Sequence, residues 1–322
     1  MDLQRLLHKC HRDQWHIDDL DWSAPARAMP AAKEQAVVQY FTDMAGIERL
    51  AGALFAEQRR HETNPVLREI FTTFIGDEER HAQVAQRLAD HYNRHHYRTY
   101  TQNPNLARFR PHFLNTVRSV APDVGNTYII TGELLLDIAL LRSLDDYVDD
   151  HMSHAAMRLI NRDESRHIAI DYYMVGYYCS DAYVQQLKHT PAKPFTARLT
   201  AYRTFALMLF YAGPFIREVF FEPMDLTDPS GKRMYQAFKR IQLLSRKPEV
   251  ARRPFARYLR SLQVLFNNPV VGGLFGPLLS RLAGLDPRVL VELYNEAEER
   301  RAATMTMDEL AAEALEDKHR QG

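Results

Sequence analysis

Hydrophobic residues recur at steps of three and four along four long stretches of the chain, residues 35–60, 65–92, 126–149 and 152–178. Because one helical turn takes about 3.6 residues, this spacing places them on one face of a helix. Strand signals are weak, since β-branched runs are short and no Asn-Gly hairpin occurs. The pattern predicts an all-α protein whose four long helices turn apolar stripes toward a common core.

Each of these stripes carries ionisable residues at its middle, where apolar residues are expected. They are Glu48 in the first stretch, Glu78 and His81 in the second, Glu133 and Asp137 in the third, and Glu164, His167 and Asp171 in the fourth. A charge in a protein interior is costly unless it is paired or coordinates a metal. The stripes therefore predict a polar site inside the helical core.

A repeat organises these residues. The stretches Asp77–His81 (DEERH) and Asp163–His167 (DESRH) differ only at the middle position, and Glu48 and Glu133 precede their glutamates by 30 and 31 residues. Residues three apart on a helix share a face, so Glu-x-x-His can direct a carboxylate and an imidazole at one ion. One such motif is usually a solvated helix face. Two copies, each with an upstream glutamate, favour a metal site built from two helical hairpins.

Two facing half-sites of this kind offer four carboxylates and two imidazoles to two divalent cations. The four negative charges balance two M(II) ions, so burying the set is tolerable when the metals are present. This is the di-iron or di-manganese arrangement of four-helix bundles. The predicted metal ligands are Glu48, Glu78, His81, Glu133, Glu164 and His167.

Composition limits the other classes of function. Lys+Arg and Asp+Glu both number 41, and this balance argues against nucleic-acid binding, which requires a basic excess. Only Cys10 and Cys179 occur, which disfavours cysteine-rich metal sites and favours a reducing, cytoplasmic setting. The apolar run Thr204–Ile216 is too short to span a bilayer and is expected to form a buried helix. For Val270–Leu285, packing is favoured over a role at a membrane surface.

The patterns divide the chain into three parts. Residues 1–34 are expected to wrap around the bundle, residues 35–178 to form it, and residues 179–322 to add helices that cover a substrate pocket. Residues 103–111 are expected to connect the two hairpins. The charged, Ala-rich end from about Met305 is expected to be a loosely packed helix.

In its duplicated motif, the stretch 35–178 resembles the ferritin-like di-iron carboxylate superfamily, and its Asp-Glu-x-Arg-His form is most similar to the di-iron oxygenases. The resemblance implies a ferritin-like four-helix bundle with additional C-terminal helices. It also implies that Glu78 and Glu164 bridge or flank the two ions, and that Glu48 and Glu133 are more terminal ligands.

The resemblance assigns supporting roles to the remaining residues of the repeat. A ligating imidazole usually donates its second N–H to a carboxylate, which fixes its tautomer. The implied partners are Asp77 for His167 and Asp163 for His81, with Arg80 and Arg166 balancing the two acids.

The predictions extend to three further sets of polar residues. Asp137, one turn after Glu133, is a candidate catalytic residue that relays protons, or it pairs with Arg80 or Arg142. Asp171 is expected to extend the hydrogen-bond network. His91, His95 and His96 are expected at the surface.

These expectations imply an O2-activating oxygenase or oxidase that hydroxylates, desaturates or N-oxygenates a small, largely apolar organic substrate. The cofactors would be two iron ions and O2, with manganese or a mixed pair left open. The electrons would come from a separate reductase, since no flavin or NAD motif is present. No membrane span is expected, and a homodimer is a further expectation. The expected pocket wall comprises Phe74, Ile130, Leu136, Ile160 and aromatic residues of 204–221.

Related activities remain as alternatives. Arylamine N-oxygenases add a third histidine where Ile160 stands, and the radical-generating ribonucleotide reductase subunit has a tyrosine where Ala85 stands, so both are disfavoured. Ferroxidase or di-manganese catalase activity is the second hypothesis. The third is a helical protein without metal, whose buried acids pair with Arg80, Arg142 and Arg166.

Overall fold

Every regular element that the structure, a computed structural model, describes is a helix. The described residues are 1–191, 193–283 and 286–319, and no strand occurs among them. The all-α prediction is confirmed. Residues 192, 284, 285 and 320–322 of the predicted C-terminal part lie outside the described residues.

The described chain forms a succession of long and short helices, numbered here in chain order. They are α1 (Leu3–Arg12), α2 (Ala31–His61), α3 (Pro65–Tyr92), α4 (Pro104–Ser119), α5 (Pro122–Leu135), α6 (Leu141–Val148), α7 (His151–Cys179), α8 (Asp181–His189), α9 (Phe195–Ile216), α10 (Glu222–Thr227), α11 (Lys232–Arg246), α12 (Pro248–Ala251), α13 (Pro254–Asn267), α14 (Pro269–Ala283), α15 (Pro287–Leu290), α16 (Glu296–Thr304) and α17 (Met307–His319).

Four long segments correspond to the four predicted stripes: α2, α3, the stretch from α5 to α6, and α7. Helix α2 packs on α3 and α5, and α7 packs on the same two helices. These contacts close a ring in which the four apolar stripes meet.

Polar caps set where these helices begin. The Asn64 side chain accepts hydrogen bonds from the N–H groups of Val66 and Leu67, and Pro65 occupies the first turn of α3. Asp150 caps α7 in the same way through the N–H of Met152. The short turns after α2 and α6 thus fix the spacing between the paired ligands.

A π-helical turn, Leu136–Leu140, separates α5 from α6, where the periodicity predicted an uninterrupted helix. All five of its residues are buried, and Asp137 is one of them. Such turns insert one residue into a helix and are frequent at functional sites. The insertion changes the phase of the stripe directly after Glu133.

The expected connection at residues 103–111 is instead the start of α4. Asn103 accepts a hydrogen bond from the N–H of Asn105, and Pro104 stands in the first turn. The Asn-Pro pair that suggested a break is a helix start, because proline at that position loses no intrahelical hydrogen bond.

The burial expected for two apolar segments is wrong. Helix α9 buries Met208, Ala212 and Phe215, but leaves Phe195 76% and Phe210 74% exposed. Helix α14 likewise exposes apolar side chains instead of packing them: Val270, Leu274, Phe275 and Leu278. Helices that are apolar on more than one face left too much apolar surface for the bundle to cover.

Two stretches of the described chain are long and apolar enough to cross a membrane, Pro122–Val148 and Phe195–Thr227. The first has 72% of its apolar window buried inside the protein, and the second has 33%. The first is therefore a core helix of the protein.

The C-terminal helix packs more closely than expected, and the N-terminal helix also lies against the long helices. Helix α17, expected to be loosely packed, lies against α7 and buries Leu310, Ala311 and Ala314. Helix α1 contacts α3 and α7. Both segments bring polar side chains to the centre of the molecule.

Candidate metal centre

The six predicted ligands come together inside the ring of four helices. They form two groups, Glu48, Glu78, His81 and Glu164 in one, and Glu78, Glu133, Glu164 and His167 in the other. The ligating atoms within each group lie within 4.8 Å of one another, and every one of these residues is at most 3% exposed. Glu78 and Glu164 belong to both groups. The arrangement is compatible with two cations that share two carboxylates.

The polar atoms of this cluster are better suited to binding a metal than to forming hydrogen bonds with one another. Both oxygens of Glu48, Glu78 and Glu164, and Nδ1 of each histidine, make no well-aligned hydrogen bond in the described chain. The two imidazoles contact Glu164 only as close ion pairs. Buried polar atoms in native proteins are normally paired. A set of four carboxylates and two imidazoles supplies the oxygen and nitrogen ligands that Fe(II) and Mn(II) accept.

Both imidazoles turn Nδ1 toward the carboxylates and Nε2 away from them. In His81, Nδ1 lies 2.9 Å from Oε1 of Glu164, and in His167 it lies 2.8 Å from Oε2 of the same residue. The opposite ring nitrogens face Asp163 Oδ2 at 3.2 Å and Asp77 Oδ2 at 3.5 Å, respectively. Each motif's aspartate therefore faces the histidine of the other motif.

Two arginines hold this pair of aspartates. Arg166 Nη2 lies 2.6 Å from Asp163 Oδ1 and 3.4 Å from Asp77 Oδ2. Arg80 pairs with Asp77 and lies 3.4 Å from Asp163 Oδ2. Each guanidinium thus contacts both acids, and the four groups form one buried network that ties α3 to α7.

The N-terminal segment completes this network with residues that sequence reasoning missed. Trp15 Nε1 donates to Asp163 Oδ2 at 2.6 Å, and its ring stacks on His81 at a centroid distance of 6.4 Å. Gln14 donates to Asp77 and accepts from Arg80. Neither residue belongs to a periodic stripe or motif, so only the folding of the N-terminal segment onto α3 identifies them.

Burial and mutual repulsion make the carboxylates hold protons. Burial, together with the charge of Glu164, raises the pKa of Glu48 to about 7. Burial and Glu164 also hold the pKa of Glu78 and Glu133 well above the usual range. For Glu164 burial acts in the same direction, but His167 and His81 outweigh it and hold its pKa well below the usual range.

The pKa values of the two histidines shift in the direction opposite to the one that burial favours. Burial alone would lower their pKa values, but Asp163 and Glu164 raise the pKa of His81 to about 10. Glu164 and Asp77 raise that of His167 to about 9. The metal-free cluster therefore holds protons at neutral pH that divalent cations would displace.

Asp137 and Asp171 form a second acidic group beside the cluster. Asp137 forms an ion pair with Lys318 of α17, at 3.8 Å. Asp171 makes no hydrogen bond within the described chain, so the expected extension of the network is wrong. Burial and the charge of Glu164 raise the pKa of Asp137 well above its usual range.

Lys318 is a further residue that the sequence did not single out. Its side chain is almost fully buried, and Nζ donates to the backbone oxygen of Asn161 at 3.0 Å. The charged end of the chain gave no signal, because its lysines look like those of any solvated helix.

Of the expected surface histidines, His95 has a partner, since Nδ1 lies 2.6 Å from Glu34 Oε2.

Two apolar cavities lie between α5 and the C-terminal helices. One, of about 50 Å³, is lined by Ile130 and Leu134 of α5, which flank Glu133. The other, of about 170 Å³, lies between α4, α5, α9 and α13, and Thr131 lines both. Of the expected pocket wall, Ile130 and the α9 aromatic Phe205 line these cavities. Phe74, Leu136 and Ile160 are buried in the core.

The chain matches no known protein-family model, and no curated protein is significantly similar to it in sequence. The position and chemistry of the cluster are therefore what any functional assignment depends on.

Proposed function

We propose that this protein is a ferritin-like di-iron oxygenase or oxidase that uses O2 to oxidise a small apolar organic substrate. The supporting observation is the pair of buried ligand groups that share Glu78 and Glu164. In this proposal Glu48 and His81 hold one ion, Glu133 and His167 hold the other, and manganese is an alternative metal. Two reduced ions bound there would supply electrons to O2.

The surrounding residues orient the ligands and move protons. Asp163 and Asp77 hold the two histidines with Nδ1 toward the ions, and Arg80 and Arg166 offset the charge of these aspartates. Asp137, paired with Lys318 at the edge of the cluster, is placed to hold a proton beside Glu133. We assign it the relay of protons to the site.

The apolar cavities support an organic substrate over iron storage or peroxide removal. The helices after residue 179 close a cavity of about 170 Å³ whose lining is mostly apolar, next to the cavity that reaches Ile130 and Leu134. Inserting one oxygen atom of O2 into a C–H bond reduces the other atom to water and consumes two electrons and two protons. A separate reductase would supply the electrons.

Metal stoichiometry tests the ligand assignment. We expect about two Fe(II) per chain after anaerobic reconstitution, measured by elemental analysis. Glu78→Ala removes a shared carboxylate and should leave less than one ion, whereas Glu48→Ala should leave about one. Glu57→Ala is the matched control. Glu57 is a buried glutamate of α2, the helix that carries Glu48, but it pairs with Arg60 and Arg118 outside the cluster.

If the wild-type protein binds no ions, or if Glu57→Ala loses as much metal as Glu78→Ala while both remain helical, the cluster is not a metal site. Admitting O2 to the iron-loaded protein then separates the activities. O2 consumption that depends on an apolar substrate and a reductant supports the oxygenase, and rapid disproportionation of H2O2 by the manganese form supports the catalase.

A further inference from the structure

Helix α9 has two apolar faces, and only one of them packs on the protein. Met208, Ala212 and Phe215 face inward. On the opposite side, exposed residues follow one another at steps of four, three, four and four, which is a single helical stripe. The stripe consists of Phe195, Leu199, Tyr202, Ala206 and Phe210.

The neighbouring helices continue this apolar surface. Helix α14 contacts both α9 and α13. It exposes Val270, Leu274 and Leu278, again along one stripe, and α13 exposes Val264 and Leu265. Exposed apolar area of this extent on adjoining helices is uncommon on a monomeric soluble protein and marks an interaction surface. We refer to the exposed side of α9, α13 and α14 as the outer apolar face.

The helices of the outer apolar face carry charges of one sign. No Asp or Glu stands between Asp90 and Asp123, between Asp181 and Glu218, or between Glu249 and Asp286. These intervals contain α4, α9, α13 and α14, and each holds five Lys and Arg residues, fifteen of the 41 in the chain. Helices α9, α13 and α14, which expose apolar residues, thus carry arginine and no acidic residue.

The arginines flank the apolar stripe rather than interrupt it. At about 100° per residue, Arg198 and Arg203 lie to either side of the line from Phe195 to Phe210. Arg257 and Arg260 are likewise exposed on α13. None of these four arginines makes a salt bridge within the part of the chain that the structure describes, whereas Arg253 on the inner side of α13 pairs with Asp123.

We propose that the outer apolar face docks on the surface of an anionic lipid bilayer. An apolar stripe flanked by cations is the pattern of helices that lie in a membrane interface, with the stripe in the acyl region and the cations at the headgroups. The attraction of arginines to anionic lipids adds to the burial of apolar area. The helices lie on the membrane and do not cross it.

A second copy of the chain fits this face less well. A symmetric dimer would place Arg198, Arg203, Arg257 and Arg260 of one copy against those of the other, with no acidic residue on these segments to pair with them. Like charges brought together across an interface oppose association. A surface of anionic headgroups supplies the complementary charge.

Docking would also serve the proposed function, and this part of the inference rests on it. The inner side of the same helices lines the cavity of about 170 Å³, through Phe205, Met208 and Leu209 of α9 and Leu259 and Leu262 of α13. Only this layer of helices separates the cavity from a bilayer docked on the outer apolar face. The substrate class that follows is an apolar, membrane-soluble molecule.

Vesicle sedimentation of the full chain tests the proposal. We expect binding to phosphatidylcholine vesicles that contain phosphatidylglycerol, weaker binding at high salt, and little binding to phosphatidylcholine alone. Arg198→Glu with Arg203→Glu should lower the partition coefficient at least about tenfold. Phe195→Ser with Phe210→Ser should lower it by a similar factor.

Two controls carry the same chemical changes elsewhere on the surface. Arg300→Glu on α16 and Leu226→Ser on α10 alter exposed residues outside the face and should bind vesicles like the wild type. The proposal is wrong if the wild-type protein binds no vesicles, or if the double variants bind as it does. It is also wrong if the chain is a dimer that the phenylalanine variant dissociates and that ignores vesicles.

The assay needs neither metal nor turnover, so its outcome is independent of the proposed oxidation. Vesicle binding without metal uptake would refute the oxygenase and leave the docking surface intact. Metal uptake without vesicle binding would refute the docking surface and leave the proposed oxygenase intact.

Discussion

Several carboxylates at the centre of this protein are buried without enough positive side chains around them to balance their charge. Glu48, Glu78 and Glu133 are buried in one site, and burial together with the charge of Glu164 raises their pKa values. Asp77 and Asp163, a few ångströms further out, have lowered pKa values, since the histidines and arginines around them outweigh the effect of burial. The inner acids thus remain available to cations, and the outer acids are already paired.

These shifts predict how the metal-free protein responds to pH. Raised pKa values of the inner glutamates, and of His81 and His167 at about 10 and 9, mean that the folded state binds more protons than the unfolded one above about pH 5. Unfolding free energy should therefore fall as pH rises from 6 to 9, by on the order of 1 kcal/mol per pH unit for each extra proton.

Urea titrations at several pH values, with a chelator present, measure this dependence. Saturating divalent metal should remove most of it, because the ions replace the protons. Stability that rises over the same pH range in the chelated protein would contradict the predicted protonation.

A second prediction concerns the paired acids. Asp163→Asn leaves Arg80 and Arg166 with one carboxylate between them and takes the charged acceptor from Trp15. Breaking a buried ion pair on one side costs about 3 kcal/mol or more, so the midpoint of denaturation should fall clearly in the metal-free protein.

The matched control for this change is Asp18→Asn, where the exposed carboxylate pairs with the exposed Arg87. It should cost no more than about 1 kcal/mol. Equal effects of the two variants would show that the buried network contributes no special stability.

At the scale of elements, the site depends on how closely α2 and α3 approach. Gly52 of α2 lies against Glu78, and a Cβ added there would stand 3.1 Å from the Cβ of Glu78. That distance is too short for an ordinary contact. The glycine lets a shared ligand and the helix that carries Glu48 lie side by side.

Two glycine substitutions separate this packing from helix propensity. Gly52→Ala should displace Glu78 by a few tenths of an ångström and weaken metal binding by about tenfold, measured by competition with a chromogenic chelator. Gly76→Ala on α3 adds a Cβ with no heavy atom within 4 Å, so it should stabilise the protein by about 0.5–1 kcal/mol. Unchanged metal affinity in Gly52→Ala would contradict the close-approach explanation.

Elements outside the four long helices also contribute to the centre of the molecule. The N-terminal segment places Trp15 on Asp163, and α17 places Lys318 beside Asp137. The π-helical turn after α5 carries Asp137 itself. The two ends of the described chain thus act as supports of the candidate site.

For the molecule as a whole, the cluster joins four helices that come from distant parts of the chain. Ions bound there would link α2, α3, α5 and α7, and they would bind the folded state in preference to the unfolded one. Ligand at a hundred times its dissociation constant stabilises the folded state by about 2.7 kcal/mol.

Fe(II) under anaerobic conditions, or Mn(II), should therefore raise the melting temperature measured by circular dichroism. Glu78→Ala should remove most of the increase and Glu57→Ala should retain it. A melting temperature that metal does not change would indicate that the cluster is held together without ions.

The sequence by itself determined the helical class, the four long helices and the six residues of the cluster. Hydrophobic periodicity and Glu-x-x-His spacing are local properties of a helix, so both can be read from one segment at a time. The repeat indicated how the ligands combine, since two half-sites with the same ligands are expected to face each other.

Only the tertiary structure decided which distant side chains reach the cluster and which apolar faces stay uncovered. Trp15 and Lys318 arrive by contacts between segments far apart in the chain, and no local pattern encodes such contacts. The outer face of α9 is as apolar in sequence as a core helix. Burial depends on what packs against a face, and a segment's own composition does not contain its partner.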